Sequence, residues 1–315
     1  MKKRLPLTVI GGFLGAGKTT LLNRWLREAN GLRMAVLVND FGALNIDADL
    51  IAATHGDTTA LTNGCVCCQI GDDLGRALVA VIEATTPFDA VVIEASGVSD
   101  PWRIAQIGMA APELSLEGVV VLVDASAVAQ QAKDPLLADT LARQVKSADL
   151  VVVNKADLAT ADALAGAWAW VEATAPGTPC METTESAVPL ELLSGVTQAD
   201  AAAHVCGPGC HAHHGQHGHG APDHGALFQT WNAQPDAVIP AEALRAWLRD
   251  VPPGVLRLKG LLRTGESDWS QVQFAGRHGS LRKALPPVGD GRAGVVAIGL
   301  RGQLPEGALK AFFAR

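Results

Sequence analysis

No stretch of this sequence reaches the ~18 consecutive apolar residues that a membrane-spanning helix needs, so no span is expected. Nor is there a run of basic residues: Lys and Arg total 25 against 32 Asp and Glu, a formal net charge of -7. A surface of that sign repels phosphate backbones, which excludes sequence-independent nucleic-acid binding. No internal repeat is present. Charge is also sparse overall, at 18% against 48% apolar residues, which excludes a disordered chain and fits a well-buried globular one. A secretory leader is imitated but not formed. Lys2, Lys3 and Arg4 precede an apolar stretch, yet Gly11, Gly12, Gly15, Gly17 and Lys18 break it and no small-residue cleavage site follows. The expected location is the cytoplasm, where thiols stay reduced. The six cysteines then read as free, catalytic or metal-binding residues rather than a disulfide framework.

What is present is a chain of 315 residues, enough for about two domains. Leu7–Ile10, Arg33–Val38, Ala90–Ile93, Gly118–Val123 and Leu150–Val153 are short apolar runs, several Val-rich, of the kind found in parallel sheets covered on both faces. Helical stretches such as Lys18–Ala29, Gly75–Ala84 and Asp139–Lys146 lie between them. That alternation predicts a doubly wound, mostly parallel α/β sheet of the P-loop NTPase type over residues 1–200. Composition then changes. Residues 201–225 are rich in His, Cys, Gly and Pro and cannot bury apolar surface, which predicts a flexible linker. Residues 226–315 return to strands (Phe228–Trp231, Val255–Leu262, Gln271–Phe274, Val295–Leu300) and helices (Ala241–Leu248, Glu306–Phe313), a smaller α+β domain.

Gly12-x4-Gly17-Lys18-Thr19 sits between the first strand and the first helix, the context that a phosphate-binding loop requires. Its glycines, with Gly15, Ala16 and Thr20, let backbone N–H groups point at phosphates beside a helix N-terminus. Lys18 is expected to reach the β- and γ-phosphates, and the Thr19 hydroxyl to bind Mg²⁺. The plain alternative is a glycine-rich turn. Asn154-Lys155-Ala156-Asp157 follows the strand Leu150–Val153 and matches the Asn-Lys-x-Asp signature of GTPases. A carboxylate at Asp157 accepts from guanine N1–H and the 2-amino group, donors that adenine lacks there. Asn154 can bond the other edge of the base or tie loops together, and the Lys155 stem can lie along the ring. Asp157 would otherwise serve as a helix cap. After a P-loop, this motif favours GTP over ATP. Glu94-Ala95-Ser96-Gly97 also follows a strand. Glu94 is the expected second magnesium and catalytic acid beside Lys18, and the Gly97 N–H is placed to meet the γ-phosphate. Asp40 is a further magnesium candidate or an Asx-turn residue, and Asp124 ends another strand with a possible supporting role.

Cys65-Val66-Cys67-Cys68 gathers three thiols within four residues, enough to offer two or three thiolates to one transition metal. Small buried hydrophobes are the bland alternative. Adjacent Cys67 and Cys68 need a turn to converge. His204, Cys206, Cys210, His211, His213, His214, His217, His219 and His224 form no fixed finger spacing and read as weak, flexible metal sites. Cys180 is isolated and reads as structural.

Gly-Gly-Phe-Leu-Gly-Ala-Gly-Lys-Thr-Thr, Asn-Asp-Phe-Gly, Asn-Gly-Cys-Val-Cys-Cys, Glu-Ala-Ser-Gly and Asn-Lys-Ala-Asp occur in this order. The combination resembles the CobW-like metallochaperone GTPases, SIMIBI-class proteins related to the UreG and HypB nickel-insertion proteins. Leu256-Arg257-Leu258-Lys259-Gly260 looks like part of that family's C-terminal domain, where histidine-rich linkers are common. The resemblance implies slow GTP hydrolysis with Mg²⁺, coupled to handling of zinc or cobalt and delivery to a metal-dependent client protein. No nucleic-acid or membrane partner is implied, and a homo-oligomer is compatible. One departure is Ala43, where some relatives carry a carboxylate able to join a metal site. Two rivals remain: a P-loop small-molecule kinase or ATPase with incidental cysteines, and a non-enzymatic histidine-rich metal reservoir.

Overall fold

A computed structural model describes residues 4–29, 32–38, 72–190, 228–287 and 292–314, and the short strand Val66–Cys67. The first sheet has seven strands: β1 (Leu5–Gly12), β2 (Met34–Val38), β3 (Val66–Cys67), β4 (Ala90–Glu94), β5 (Leu114–Asp124), β6 (Leu150–Asn154) and β7 (Cys180–Glu182). Their order is β3-β2-β4-β1-β5-β6-β7, and every described pairing is parallel. The expected doubly wound α/β sheet is therefore present, with β1 between β4 and β5. A chain that winds outward in both directions from β1 opens a crevice beyond the carboxyl end of that strand.

The helices are α1 (Lys18–Glu28), α2 (Asp72–Ile82), α3 (Pro101–Ala110), the short α4 (Val128–Gln131), α5 (Ala138–Lys146) and α6 (Ala161–Thr174). Alternate strand residues feed two cores. Leu7, Val9, Val91, Ile93, Val119 and Val121 pack with Leu74, Ile104, Val145 and Val171 on one face. Ile10, Val92, Val120 and Leu122 pack with Leu21, Leu22 and Trp25 of α1 on the other. Burial on both faces explains the unbroken Val runs, since no position needs to be polar.

The second sheet is antiparallel, ordered β11-β10-β9-β12-β8. It comprises β8 (Phe228–Ala233), β9 (Arg257–Arg263), β10 (Trp269–Ala275), β11 (His278–Ala284) and β12 (Gly294–Leu300), with α7 (Ala241–Arg249) and α8 (Glu306–Phe313). Leu244 and Trp247 of α7 and Leu309 and Phe313 of α8 pack on Leu258, Val272, Phe274, Val295 and Ala297. Leu256 and Leu300 instead join the α1-side core of the first sheet, so the two sheets share apolar contact.

Polar contacts reinforce that junction. Register along β5 slips between Leu116 and Gly118 opposite β1, which leaves Glu117 as the extra residue of a bulge. The bulge turns the Glu117 carboxylate towards Arg257, which donates to it, with Lys259 Nζ at 3.7 Å and Gln273 Nε2 donating at 2.5 Å. Asp149, just before β6, accepts from the Val119 N–H at 2.9 Å and from Arg277 Nε at 3.3 Å. The rings of Trp102 and His278 stack at 5.1 Å.

Where elements differ from expectation, local causes are visible. β5 begins four residues earlier than Gly118, because a buried acid interrupts its apolar pattern. The helix α3 starts on an Asp-Pro signal: Asp100 accepts from the Trp102 N–H at 3.0 Å, with Pro101 in the first turn. Among the described residues no helix is long and apolar enough to cross a membrane.

Candidate nucleotide site

The carboxyl ends of β1, β4, β5, β6 and β7 bring the expected loops together. The chain leaves β1 at Gly12 and turns through Gly15 (φ 76°) and Gly17 (φ 106°) into α1. Gly17 is sterically required. A Cβ there would lie 2.4 Å from Asn154 Nδ2 and 2.7 Å from Ser186 Oγ, in a backbone conformation that L-residues rarely adopt. Helix α1 has no side-chain cap, so its first-turn N–H groups are the kind of orphan donors that an anion satisfies. Ala16 is buried, whereas Gly15 and Thr20 are exposed. Lys18 is buried and curls over the loop, donating to the carbonyls of Gly12 (3.0 Å) and Phe13 (3.2 Å). Its ammonium therefore sits over the loop, in reach of a phosphate cradled there.

Thr19 Oγ1 donates to Glu94 Oε1 at 2.9 Å. Glu94 is buried at the end of β4, paired in register with Ile10. A hydroxyl and a carboxylate side by side make a hard-oxygen pair suited to Mg²⁺. Three residues on, the Gly97 backbone abuts the P-loop: a Cβ there would come within 2.4 Å of the Leu14 side chain and 2.9 Å of its N. Buried Gln144 of α5 holds this stretch, donating to the carbonyls of Gly97 and Ser99, both at 3.0 Å.

Asn154 ends β6. Its Nδ2 donates to Ala16 O and Ser186 Oγ, both at 2.9 Å, while its Oδ1 accepts from the Ser186 N–H at 2.9 Å. Of its two expected jobs the structure realises the tie between loops. Ser186 was not foreseen from sequence. It lies in the turn after β7, where Glu185 (φ 48°) and Ser186 (φ 53°) both take left-handed backbone, and its Oγ donates to Gly17 O at 3.0 Å. Two such residues in a row cost about 1–3 kcal/mol each, which the hydrogen bonds to Asn154 and Gly17 offset. A signal was available in principle, since Thr183–Ala187 follows the last strand of the sheet, at the edge where ligand loops gather. Lys155 is also left-handed (φ 61°), and its Nζ pairs with Asp124 Oδ2 at 2.6 Å. Asp124 therefore contacts the Asn-Lys-x-Asp segment rather than the Thr19–Glu94 pair. Burial raises its pKa, but hydrogen bonds from Lys155 and Ser126 outweigh burial and hold the carboxyl below its ordinary value. Asp157 is exposed on the 3₁₀ turn Ala156–Leu158, open to solvent and to a base.

Of the expected metal residues, Asp40, Cys65, Cys68 and the 204–224 tract lie outside the described residues, as does Ala43. The backbone of Cys67 lies in β3, at the sheet edge. Cys67 is in register with Val38, and Val38 with Glu94, so the three occupy one row across adjacent strands. Two strand spacings put the Cys67 and Glu94 backbones roughly 10 Å apart. Cys180 is half-buried, and burial, aided by the Glu172 charge, pushes its thiol up to about 11, so it stays protonated at neutral pH. Among the described residues no three His, Cys, Asp or Glu side chains cluster to hold a metal.

Residues 6–181 match the CobW/HypB/UreG nucleotide-binding domain. The chain belongs to this family. Residues 228–315 match the cobalamin synthesis protein cobW C-terminal domain. The zinc chaperone CobW of Pseudomonas aeruginosa is 33% identical over 244 residues, covering 67% of this chain and 64% of that protein. The zinc chaperone YjiA of Escherichia coli is 37% identical over 163 residues, 49% of this chain and 50% of that protein. The chain thus spans between half and two-thirds of the length of these curated relatives. The crystal structure of Zn(II)-bound YjiA GTPase from E. coli covers 99% of both chains at 26% identity, with a TM-score of 0.46.

Proposed function

We propose that this chain hydrolyses GTP to GDP and phosphate with Mg²⁺, and uses the nucleotide state to hold and release a transition metal, zinc or cobalt, for a metal-dependent client protein. Gly12, Gly15, Ala16, Gly17, Lys18 and Thr20 would hold the phosphates, Thr19 and Glu94 the magnesium, and Asp157 the guanine, with Gly97 meeting the terminal phosphate. The Mg²⁺ that Thr19 and Glu94 would hold would supply positive charge to offset that of the phosphates. Lys18 orients the phosphates, Glu94 fixes the Thr19 hydroxyl, and Asn154 with Ser186 keeps the base and phosphate loops in one rigid frame. Cys65, Cys67 and Cys68 would carry the transported ion, and thiolates of this kind persist in a reducing compartment such as the cytoplasm. The 204–224 tract would be an auxiliary metal collector.

The observation that carries this reading is the row Cys67–Val38–Glu94. A loop that reorganises when Glu94 and Gly97 engage magnesium and the γ-phosphate acts on a strand two positions from the one that carries Cys67, which would give nucleotide state a short path to the metal. Family membership and relatives named as zinc chaperones support the same reading. Coupling of this kind is reciprocal. Zinc affinity, measured by chelator competition with a non-hydrolysable GTP analogue and with GDP, is expected to differ by about 5–150-fold. The difference should vanish in the Cys65→Ser, Cys67→Ser, Cys68→Ser variant. Equal affinities in the two nucleotide states would overturn the proposal.

A further inference from the structure

The chain as a whole is acidic, yet the five strands of the second sheet contain no Asp or Glu at all. They carry Arg257, Lys259, Arg263, Arg282 and Lys283. Strand alternation sorts these cations. Leu258, Leu262, Val272 and Leu281 pack towards α7 and α8, so Arg257, Lys259, Arg263 and Arg282 stand on the opposite face. The two sheets meet on part of that face, where Glu117 takes up Arg257 and approaches Lys259. Beyond that contact lie Arg263 and Arg282. Among the described residues neither forms an ion pair.

The same outer half carries an exposed amide, Gln271, paired in register with Leu261 and Arg282. Leu261 and Val296 are half-buried there and contribute to none of the three cores. Arg4, which donates to Leu114 O at 3.1 Å, adds a further guanidinium near Arg282. Burial first, and then the Arg4 charge, depress the pKa of Arg282, as expected where cations crowd without an anion.

From the register we infer that this outer half-sheet is a docking surface for an acidic, partly apolar segment of a partner protein, laid across β9, β10 and β11. Strands about 4.8 Å apart, with a rise of about 3.3 Å per residue, set Arg263 and Arg282 roughly 12 Å apart. An extended segment with a carboxylate every fourth residue matches that interval, and the apolar residues that share its face meet Leu261 and Val296. The face is small, half apolar and built into an acidic molecule, which favours such a peptide over a nucleic acid that the rest of the surface would repel. The inference needs no nucleotide and is independent of the activity proposed above.

The test is fluorescence anisotropy on the full chain without nucleotide. The probes are a short fluorescein-labelled peptide repeating Glu-Ser-Leu-Ser, in which Glu recurs every fourth residue and Leu shares its face when extended, a Lys-Ser-Leu-Ser control and a single-stranded oligonucleotide of matched length. The acidic peptide is expected to bind, more weakly as salt rises, and the Lys control is not. Binding should fall at least about tenfold in Arg263→Glu/Arg282→Glu and persist in Arg263→Lys/Arg282→Lys, with an unchanged thermal melt. If the double reversal fails to fold, Arg282→Gln alone is expected to give a several-fold loss. No binding of the acidic peptide, unchanged binding in a folded charge-reversed variant, or equal or tighter binding of the oligonucleotide would overturn the inference.

Discussion

Lys155 shows how a single residue is held in an unfavourable conformation. Its left-handed backbone is stabilised at the far end of the side chain by Asp124, itself fixed by Ser126. Because hydrogen bonding holds the folded pKa of Asp124 below its unfolded value, the ion pair's contribution is complete above about pH 4. It is lost as pH falls through the lower folded value. Urea unfolding of wild type and Asp124→Asn is expected to differ by less than about 1 kcal/mol at pH 7, since the pair is partly solvated. The two are expected to converge once the pH has fallen through that folded value. A difference that grew on acidification would contradict the assignment. The Asn-Lys-x-Asp motif itself was legible in the sequence, but the partner of its lysine was not, because Asp124 comes from the neighbouring strand. Only the register Asp124↔Asn154 brings them together.

At the scale of elements, the turn after β7 depends on Asn154. Its amide satisfies Ala16 O, Ser186 Oγ and the Ser186 N–H at once, and Trp25 Nε1 secures the same turn through Val188 O at 2.7 Å. Asn154→Ala would leave buried polar groups unmatched at about 1–3 kcal/mol each. We expect a loss of about 2–4 kcal/mol in urea unfolding and a large drop in guanine-nucleotide affinity. If stability and affinity were both retained, the tie would be incidental. The P-loop, the acid loop and the base motif were each readable because they are contiguous and follow apolar strands. Ser186 and Gln144 were not, because what marks them is a contact across more than thirty residues rather than a neighbour in sequence. The early start of β5 is hidden for a related reason: Glu117 stands between Leu114–Leu116 and the Val119–Val121 run, and only the bulge opposite β1 explains how an acid fits there.

Across the whole molecule, the junction between the two sheets rests on that acid. Glu117 and Arg257 are both buried. Removing one partner of a buried pair leaves an uncompensated charge, at about 3–5 kcal/mol. Calorimetry of Glu117→Ala is expected to show that loss and to separate melting of the second sheet from that of the first, since each sheet has its own core. A single, unshifted transition would mean the junction is held by Leu256 and Leu300 instead. The apolar runs made the strands of both sheets legible; nothing in the sequence said that the two sheets touch. The Glu117–Arg257 pair also constrains how such a chain can change over generations. A substitution at either position alone strands the other charge between the sheets, so the two positions are expected to be inherited as a pair, altered together or not at all.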